Sequence, residues 1–256
     1  CGEQPLLPYE SCNLGSLNLA AFVRDAAPSP KRTRRNGTPA ASASPAAEFD
    51  WGALEEAIPQ CVRFLDDVID ANRYPIPEID EMTKRTRKIG LGVMGWADVL
   101  FRLRIPYDSE DAIALAGRLM SFIQEQADRA SLALAEERGV FPAWHGSIYD
   151  PASGEERGGP RYRNATRTTV APTGTLSIIA DCSGGIEPAF ALAFMRQHFL
   201  DRDDPTKPMR LPEVNKTFRH VARQSGFYSD ELMTYLAEGG SLADRDDVPD
   251  WAKRVF

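Results

Sequence analysis

The chain opens on Cys1-Gly2-Glu3-Gln4-Pro5-Leu6-Leu7-Pro8-Tyr9-Glu10-Ser11-Cys12-Asn13-Leu14-Gly15-Ser16-Leu17-Asn18-Leu19, the stretch around which the rest of the sequence is organised. A thiol stands two residues from a carboxylate. In an extended segment Cys1 and Glu3 point to the same side, because strand side chains alternate with a period of two. One group then carries sulfur chemistry while the other moves a proton at the same substrate face. The pattern predicts a thiol–carboxylate site at the start of the chain.

A second thiol, Cys12, follows in the same stretch. Pro5 and Pro8 lie between the two thiols, restrict the backbone and remove two backbone donors. We therefore expect a shaped loop rather than a strand inside a sheet. A loop with two incidental cysteines remains an alternative, because the Cys-x-Glu spacing by itself is not specific.

The composition is that of a globular chain. Its 256 residues are 43% hydrophobic and 26% charged, which suits one large domain or two modest ones with a real core. The net charge of −7 provides no general basic field, so we expect no nucleic-acid partner. No apolar run approaches the roughly 20 residues that a membrane span needs, and we expect a cytoplasmic protein without a membrane anchor.

The four cysteines are too few for a disulfide scaffold at this length and form no Cys-x-x-Cys pair. Catalytic or plain buried thiols are expected instead. Cys61 falls on an apolar stripe with helical spacing, and we interpret it and Cys182 as structural. The three histidines are scattered without metal-ligand spacing, so we predict no metal site.

The sequence divides into three parts. Residues 1–25 hold the opening loop and the segment after it, and residues 49–256 read as the rest of one domain of alternating helices and short strands. Between them, residues 26–48 are rich in Ala, Ser and Pro and cannot bury enough apolar area to offset ordering entropy, which predicts a flexible low-complexity insertion. Its basic cluster, Lys31–Arg35, either contacts phosphates or is a solvated loop. The predicted helices cover about 51–69, 78–87, 92–103, 109–138, 212–224 and 229–238.

The run Gly90-Leu91-Gly92-Val93-Met94-Gly95 is formally a G-x-G-x-x-G sequence, which offers a second function, an NAD(P)-dependent oxidoreductase. The context disfavours it, because the fingerprint needs a buried strand just before its first glycine and residues 82–88 are polar and basic. The alternative is that the glycines allow helices to pack closely.

A second constellation starts at Arg167. A short strand there runs into Ala171-Pro172-Thr173-Gly174-Thr175-Leu176-Ser177 and then into a helix. Free backbone N–H groups and the positive helix end would meet at one point, a suitable place for phosphate, with hydroxyl groups beside it. The same pattern is also compatible with an ordinary capped helix.

The opening stretch resembles the active-site loop of ribonucleotide reductases, and the residues after Glu3 resemble those of the cobalamin-dependent class. Cys1 matches the thiyl-radical cysteine, Glu3 the catalytic glutamate and Cys12 one member of the reducing cysteine pair. The other reducing cysteine, and an asparagine two residues before the radical cysteine, have no counterpart in this sequence. The second constellation resembles the family segment that binds the substrate phosphates. By this resemblance the substrate contacts are Cys1, Gly2, Glu3, Pro172, Thr173, Gly174, Thr175, Leu176 and Ser177.

The resemblance implies an α/β fold, as part of the ten-stranded α/β barrel of the reductases. It implies reduction of ribonucleotides, expected to be diphosphates, to 2′-deoxyribonucleotides, with adenosylcobalamin as cofactor and thioredoxin or a similar dithiol as reductant. The family's N-terminal part is missing here, so we expect this chain to be inactive alone and to belong to a homodimer when complete.

Overall fold

The structure is a computed structural model that describes residues 2–25, 47–153, 159–198 and 209–256. These residues form two compact units. The first lies within Cys1–Phe22, Phe49–Trp96 and Ala114–Ile186, and the second within Val23–Glu48, Ala97–Ile113 and Glu187–Phe256.

Helices and short strands alternate along the described residues, as expected for an α/β chain. The strands are β1 (Asn13–Asn18), β2 (Val23–Asp25), β3 (Ala47–Phe49), β4 (Ile89–Met94), β5 (Ala193–His198) and β6 (Met209–Val214). The helices are α1 (Trp51–Ala71), α2 (Pro77–Thr86), α3 (Trp96–Leu103), α4 (Glu110–Arg138), α5 (Gly174–Ala180), α6 (Lys216–Ser225), α7 (Asp230–Ala237) and α8 (Asp250–Val255).

The first unit is built around a parallel strand pair. β1 and β4 run side by side, from the Asn13–Ile89 pair to the Asn18–Met94 pair. The other edge of β4 is also occupied, since Leu91 N donates to Arg167 O at 2.8 Å and Thr169 N donates to Leu91 O at 3.1 Å. α1 packs on these strands with an apolar stripe that is buried, although Pro59 lies inside the helix. The stripe consists of Leu54, Ile58, Val62, Leu65 and Ile69.

The glycines of residues 90–95 pack strands, not helices, and the predicted helix from Gly92 is wrong over Gly92–Met94. A Cβ atom added at Gly90 would lie 2.7 Å from Leu14 Cδ2, and one at Gly92 would lie 3.1 Å from the Thr169 carbonyl oxygen. A side chain at Gly90 would have to displace the side chains of Leu14 and Thr169, and one at Gly92 would have to push the Thr169 backbone aside by a few tenths of an ångström. Glycine is a poor helix former, and pairing with residues distant in sequence makes this segment a strand.

The other helix predictions are confirmed where a local cap marks the start. The Asp50 carboxylate accepts from Ala53 N at 3.1 Å, and Ser109 Oγ accepts from Ala112 N at 3.2 Å. Gly139, with φ +84°, follows the last residue of α4. The helix expected from residue 212 begins later, at Lys216, because the residues before it form β6.

The predicted insertion at 26–48 lies largely outside the described residues, which exclude 26–46 and with them the basic cluster. Its last two residues belong to β3. β2, which ends at Asp25, and β3, which begins at Ala47, pair with each other. The chain therefore leaves and re-enters the described structure on neighbouring strands.

The second unit has its own core, in which Phe218 is fully buried. β5 and β6 pair antiparallel, from Ala193–Val214 to His198–Met209. α6 and α7 begin at side-chain caps, Asn215 and Ser229, and cover the core with apolar residues. These include Ala222, Leu232, Met233 and Leu236. None of the described helices is both long and apolar enough to cross a membrane.

Candidate active site

The opening stretch and the second constellation meet in the first unit. Gly2 forms an antiparallel bridge with Val170, whose N–H donates to the Gly2 carbonyl at 3.0 Å. Thr169 Oγ1 donates to the same carbonyl at 3.2 Å. Cys1 lies outside the described residues. The bridge nevertheless places residues 2–4 next to the segment that leads directly into residues 171–177.

Gln4 extends this contact into α4. Its amide donates to the Thr168 carbonyl, and the Thr168 hydroxyl donates to Gln124. Gln124 in turn donates to Asp128 Oδ1 at 2.7 Å. Sequence reasoning assigned no role to Gln4, Gln124 or Thr168, because nothing local shows that they meet.

Glu3 and Cys12 occupy one electrostatic environment. Glu3 is exposed and Cys12 is half-buried. Burial raises the pKa of the Cys12 thiol, and the nearby Glu3 carboxylate raises it further. The Glu3 carboxylate thus lies close enough to Cys12 to disfavour its thiolate, and the catalytic roles of both residues stay predictions.

The loop between Glu3 and Cys12 is held by a tight turn. Glu10 N donates to Leu7 O at 3.0 Å, and Leu7 N donates back to the Glu10 carboxylate at 2.5 Å. Tyr9 within the turn has φ +64°, a conformation unusual for a residue with a Cβ atom. The expected shaped loop is present, and it runs up to the start of β1 at Asn13.

Groups from α1, α2 and the segment before β4 anchor the loop and the start of β1. Ser11 Oγ lies 3.0 Å from Thr83 Oγ1 of α2, and Asn13 Nδ2 donates to Leu65 O at 3.1 Å. Lys88 Nζ donates to the Glu10 carboxylate at 2.7 Å and to the Pro5 carbonyl at 2.9 Å. Sequence reasoning missed Lys88. The available signal was a lysine that ends a basic run and stands directly before a buried apolar run.

The candidate phosphate-binding segment has a strained start. Thr173 has φ +53° and precedes α5, and its hydroxyl accepts from Gly185 N at 2.7 Å. A left-handed threonine costs on the order of 1–3 kcal/mol and is found preferentially at functional sites. Gly95 N donates to Ser183 O at 2.8 Å, so the segment after α5 is tied to the end of β4.

The predicted phosphate contacts differ in their accessibility. Pro172, Gly174, Thr175 and Leu176 are exposed. Ser177 is buried, and its hydroxyl donates back to the Gly174 carbonyl at 3.2 Å. The first N–H groups of a helix have no partner within it, so backbone groups and the Thr175 hydroxyl can receive an anion here. The Ser177 side chain instead supports the helix.

The dinucleotide fingerprint does not form a binding loop. All residues from Gly90 to Gly95 are buried, and the first five of them lie in β4. The residues that would have to approach a pyrophosphate instead face Leu14, Ser16 and Thr169 at contact distance. The alternative function, an NAD(P)-dependent oxidoreductase that binds its cofactor at Gly90–Gly95, is not supported.

The other titratable side chains of the described residues show no second reaction centre. Cys61 and Cys182 are half-buried and form no disulfide. His220 Nε2 lies 3.3 Å from Asp25 on the surface. Within the described ranges no group of three or more His, Cys, Asp or Glu side chains has the arrangement of a metal site.

Comparison with known proteins gives one consistent family. The model of the "Ribonucleotide reductase, barrel domain" family matches residues 1–256. The chain is 48% identical over 256 residues to a vitamin B12-dependent ribonucleoside-diphosphate reductase of Thermoplasma acidophilum, covering all of this chain and 29% of the relative. It is 47% identical over 260 residues to the enzyme of that name from Mycobacterium tuberculosis, of which it covers 32%. The chain thus spans about a third of the length of these relatives.

A solved structure agrees on the fold. The alpha subunit of the class Id ribonucleotide reductase of Actinobacillus ureae superposes with a TM-score of 0.59 over 78% of this chain and 34% of that one, at 23% identity. Together with the family model, this likeness confirms the predicted fold class, an α/β portion of a barrel domain.

Proposed function

This chain belongs to the ribonucleotide reductase family, and from that premise we propose that it forms part of the catalytic site of an enzyme that reduces ribonucleoside diphosphates to 2′-deoxyribonucleotides. The observation that carries the proposal is the bridge between Gly2 and Val170. It puts the stretch that holds Cys1 and Glu3 beside the segment suited to phosphate. One nucleotide can then reach the first with its ribose and the second with its phosphates.

In this proposal Cys1 acts as a thiyl radical and removes the hydrogen atom from C3′ of the ribose. Glu3, which is exposed at this site, accepts the proton of the 3′-hydroxyl group as general base. The 2′-hydroxyl then leaves as water after it takes a proton from a reducing thiol. Cys1 finally returns the hydrogen to C3′ and regains its radical, so that Cys1 ends each cycle as it began.

Cys12 supplies reducing equivalents in the same cycle. With a second thiol of the complete enzyme it delivers two electrons and two protons, and the two sulfurs become a disulfide. An external dithiol then reduces that disulfide by thiol–disulfide exchange. The raised pKa of Cys12 supports this role, because a thiol that stays protonated near neutral pH can donate its proton to the leaving hydroxyl.

Residues 172–177 position the substrate. The exposed backbone N–H groups at the start of α5 and the Thr175 hydroxyl hold the phosphates, while Thr173 and Ser177 maintain the turn. Fixing the phosphates at this point orients C3′ toward the opening stretch, and such positioning is worth several kcal/mol of the barrier.

Adenosylcobalamin is the proposed cofactor, on the strength of the vitamin B12-dependent relatives at 47–48% identity. When bound it supplies the radical that the thiol chemistry requires. The described residues do not assign its contacts. Two sizeable cavities, of about 460 and 370 Å³, are lined entirely by residues of the second unit, such as Tyr235 and Leu236, and by no residue of 2–12 or 171–177.

We propose further that the chain works within a longer polypeptide, in a homodimer, with thioredoxin or a similar dithiol as reductant. The length of the relatives supports the first point. The free cysteines and the need for a thiol reductant support a cytoplasmic setting, where thiols are kept reduced.

The test is an assay of deoxyribonucleotide formation by the complete polypeptide with a ribonucleoside diphosphate, adenosylcobalamin and a dithiol. Cys1→Ser and Glu3→Gln are expected to abolish product. Cys61→Ser is the matched control, because this half-buried thiol of α1 should leave turnover unchanged. Product formation that survives Cys1→Ser, or a well-folded wild type without product, would contradict the proposal. Product that needs an iron or manganese radical subunit would keep the reaction and remove the cobalamin assignment.

A further inference from the structure

We propose that Lys88 is a positioning residue that holds the loop between Glu3 and Cys12 in the shape in which both side chains serve one substrate. The inference rests on the proposed function, since it concerns the same site. It adds a residue that lies far from the opening stretch in sequence.

Lys88 bridges two separate points of the loop. Its ammonium group donates to the Glu10 carboxylate at 2.7 Å and to the Pro5 carbonyl at 2.9 Å. The Glu10 side chain is fully buried and that of Lys88 is 12% exposed. Because the carboxylate oxygen that meets Lys88 also accepts from Leu7 N, one lysine closes the turn and ties it to the residue two positions after Glu3.

The lysine is itself held by a rigid neighbour. Arg87, the preceding residue, has φ +49° and is 4% exposed. Its guanidinium group donates to Asp66 at 2.8 Å and to Asp70 at 2.9 Å. Ile89, the next residue, begins β4 and is fully buried. The backbone of Lys88 is therefore fixed on both sides, and the two hydrogen bonds of its ammonium group tie the loop to this fixed point.

The charges around Cys12 give Lys88 a second effect. The carboxylates of Glu3 and Glu10 raise the pKa of the Cys12 thiol beyond what burial does, whereas the Lys88 ammonium group lowers it. Burial of Glu10 by itself raises the pKa of its carboxyl group, but the hydrogen bonds from Lys88 and Leu7 reverse this and leave it below its ordinary value. Glu10 is therefore ionised, and Lys88 offsets its charge next to a thiol that must react.

These charges distinguish a positioning residue from a simple brace. If Lys88 acts through its charge and contacts, Lys88→Met should raise the pKa of Cys12, and Glu10→Gln should lower it. If Lys88 and Glu10 only held the loop together, both substitutions would loosen the loop and shift the pKa of Cys12 in the same direction. Lys88→Arg keeps the charge and both donors, so it should restore most of the function.

The experiment compares Lys88→Met, Lys88→Arg, Glu10→Gln and a control in the complete polypeptide. Lys84→Met is the control, because this lysine of α2 makes only an exposed pair with Asp80 at 2.6 Å. Turnover is measured together with the pH dependence of iodoacetamide alkylation at Cys12, followed by peptide mass spectrometry. Cys61, whose thiol pKa is raised by burial alone, is the internal reference.

The expected result is a loss of kcat on the order of 100-fold for Lys88→Met, with KM little changed, as for a displacement of about 1 Å at a reacting group. The Cys12 alkylation profile should move to higher pH in Lys88→Met and to lower pH in Glu10→Gln, while Cys61 stays constant. Wild-type turnover in Lys88→Met, or equal shifts of the same sign in both variants, would overturn the inference. A wild type without product would refute the proposed function, and the alkylation profiles would still decide the role of Lys88.

Discussion

Cys12 is half-buried beside an exposed carboxylate, and this pairing governs how readily its thiol ionises. The pKa of Cys12 is raised above its ordinary value of 9.0, first by burial and then by Glu3. We predict that Glu3→Gln lowers this pKa, because it removes a negative charge that disfavours the thiolate. Alkylation of Cys12 in the complete polypeptide should then be faster at pH 8.5 than in the wild type.

Glu3→Asp provides the comparison, since it keeps the charge and should keep the slow alkylation. An alkylation rate in Glu3→Gln equal to or below that of the wild type would mean that Glu3 and Cys12 are not electrically coupled. Glu3 and Cys12 are candidates for different steps of the proposed reaction, and both are thus tested by one quantity, the pKa of Cys12.

Gly90 is required by its neighbours rather than by its own backbone angles. We predict that Gly90→Ala destabilises the structure by about 1–3 kcal/mol, because the added Cβ atom would meet Leu14 Cδ2 at 2.7 Å and Thr169 Cγ2 at 2.9 Å. Hydrogen–deuterium exchange should rise in peptides that cover β1 and β4.

Gly117→Ala is the matched substitution in α4, where an added Cβ atom meets nothing within 4 Å. Alanine in a helix should stabilise it there by roughly 0.5–1 kcal/mol, so exchange in α4 should slow. Similar changes in hydrogen–deuterium exchange in Gly90→Ala and Gly117→Ala would contradict the close packing of β4 between β1 and residues 166–169.

At the scale of elements, α1, the end of α2 and the end of α4 are joined through one buried carboxylate. Asp66 is fully buried and accepts from Arg87 at 2.8 Å, from Asn164 at 2.9 Å and from Arg163 at 3.2 Å. Arg138 of α4 adds a contact at 3.3 Å. This cluster fixes the segment around Arg87, from which both β4 and the candidate site are positioned.

We predict that Asp66→Asn costs about 3–5 kcal/mol of stability, because it removes the fully buried carboxylate that pairs with Arg87 and leaves this buried arginine only the half-exposed carboxylate of Asp70. Asp67→Asn is the control. It removes a neighbouring carboxylate that also contacts Arg138, at 2.5 Å, but its side chain is 51% exposed, so the cost should stay below about 1 kcal/mol. Urea unfolding of the complete polypeptide, monitored by hydrogen–deuterium exchange in α1 peptides, measures the loss of stability in each variant. Equal losses in Asp66→Asn and Asp67→Asn would contradict the role of the cluster.

The same carboxylate gives a pH dependence with a defined sign. Burial alone raises the pKa of Asp66, but hydrogen bonds and charge from Arg87, with Arg163 and Asn164, leave it below the ordinary value of 3.8. A lowered pKa in the folded state means that the stabilisation is fully present above about pH 4 and is lost as the pH falls further. The difference in urea midpoint between wild type and Asp66→Asn should therefore narrow below pH 3.8, and a constant difference would contradict the assignment.

At the scale of the whole molecule, the chain holds only some of the groups that the proposed reaction needs. It spans 29–32% of its vitamin B12-dependent relatives, and the proposed reaction needs a second reducing thiol besides Cys12. Its α5 also exposes Ile178 and Ile179, at 79% and 77%. We predict that the chain expressed alone forms no deoxyribonucleotide under conditions in which the complete polypeptide does. Measurable product from the 256-residue chain alone would contradict this division of the site.

Sequence reasoning succeeded where the determining interactions are local. The caps at Asp50 and Ser109 predicted α1 and α4 because a cap bonds to a residue three positions away. The string around Cys1, Glu3 and Cys12 predicted the family, which the family model confirms, while the roles of these three residues stay predictions. The shaped loop followed from two prolines, whose backbone restriction does not depend on the rest of the fold.

Tertiary structure alone decided the features that depend on contacts between distant residues. β4 is a strand because β1 and residues 166–169 flank it, although its own sequence was read as the start of a helix. The meeting of Gly2 with Val170 and the contact of Lys88 with Glu10 follow from that same pairing. Local sequence predicted where most helices begin, since a cap depends on near neighbours, and it named the candidate reacting groups. Which groups face each other was decided by the folded chain, because hydrogen bonds between residues far apart form only when the core brings their strands together.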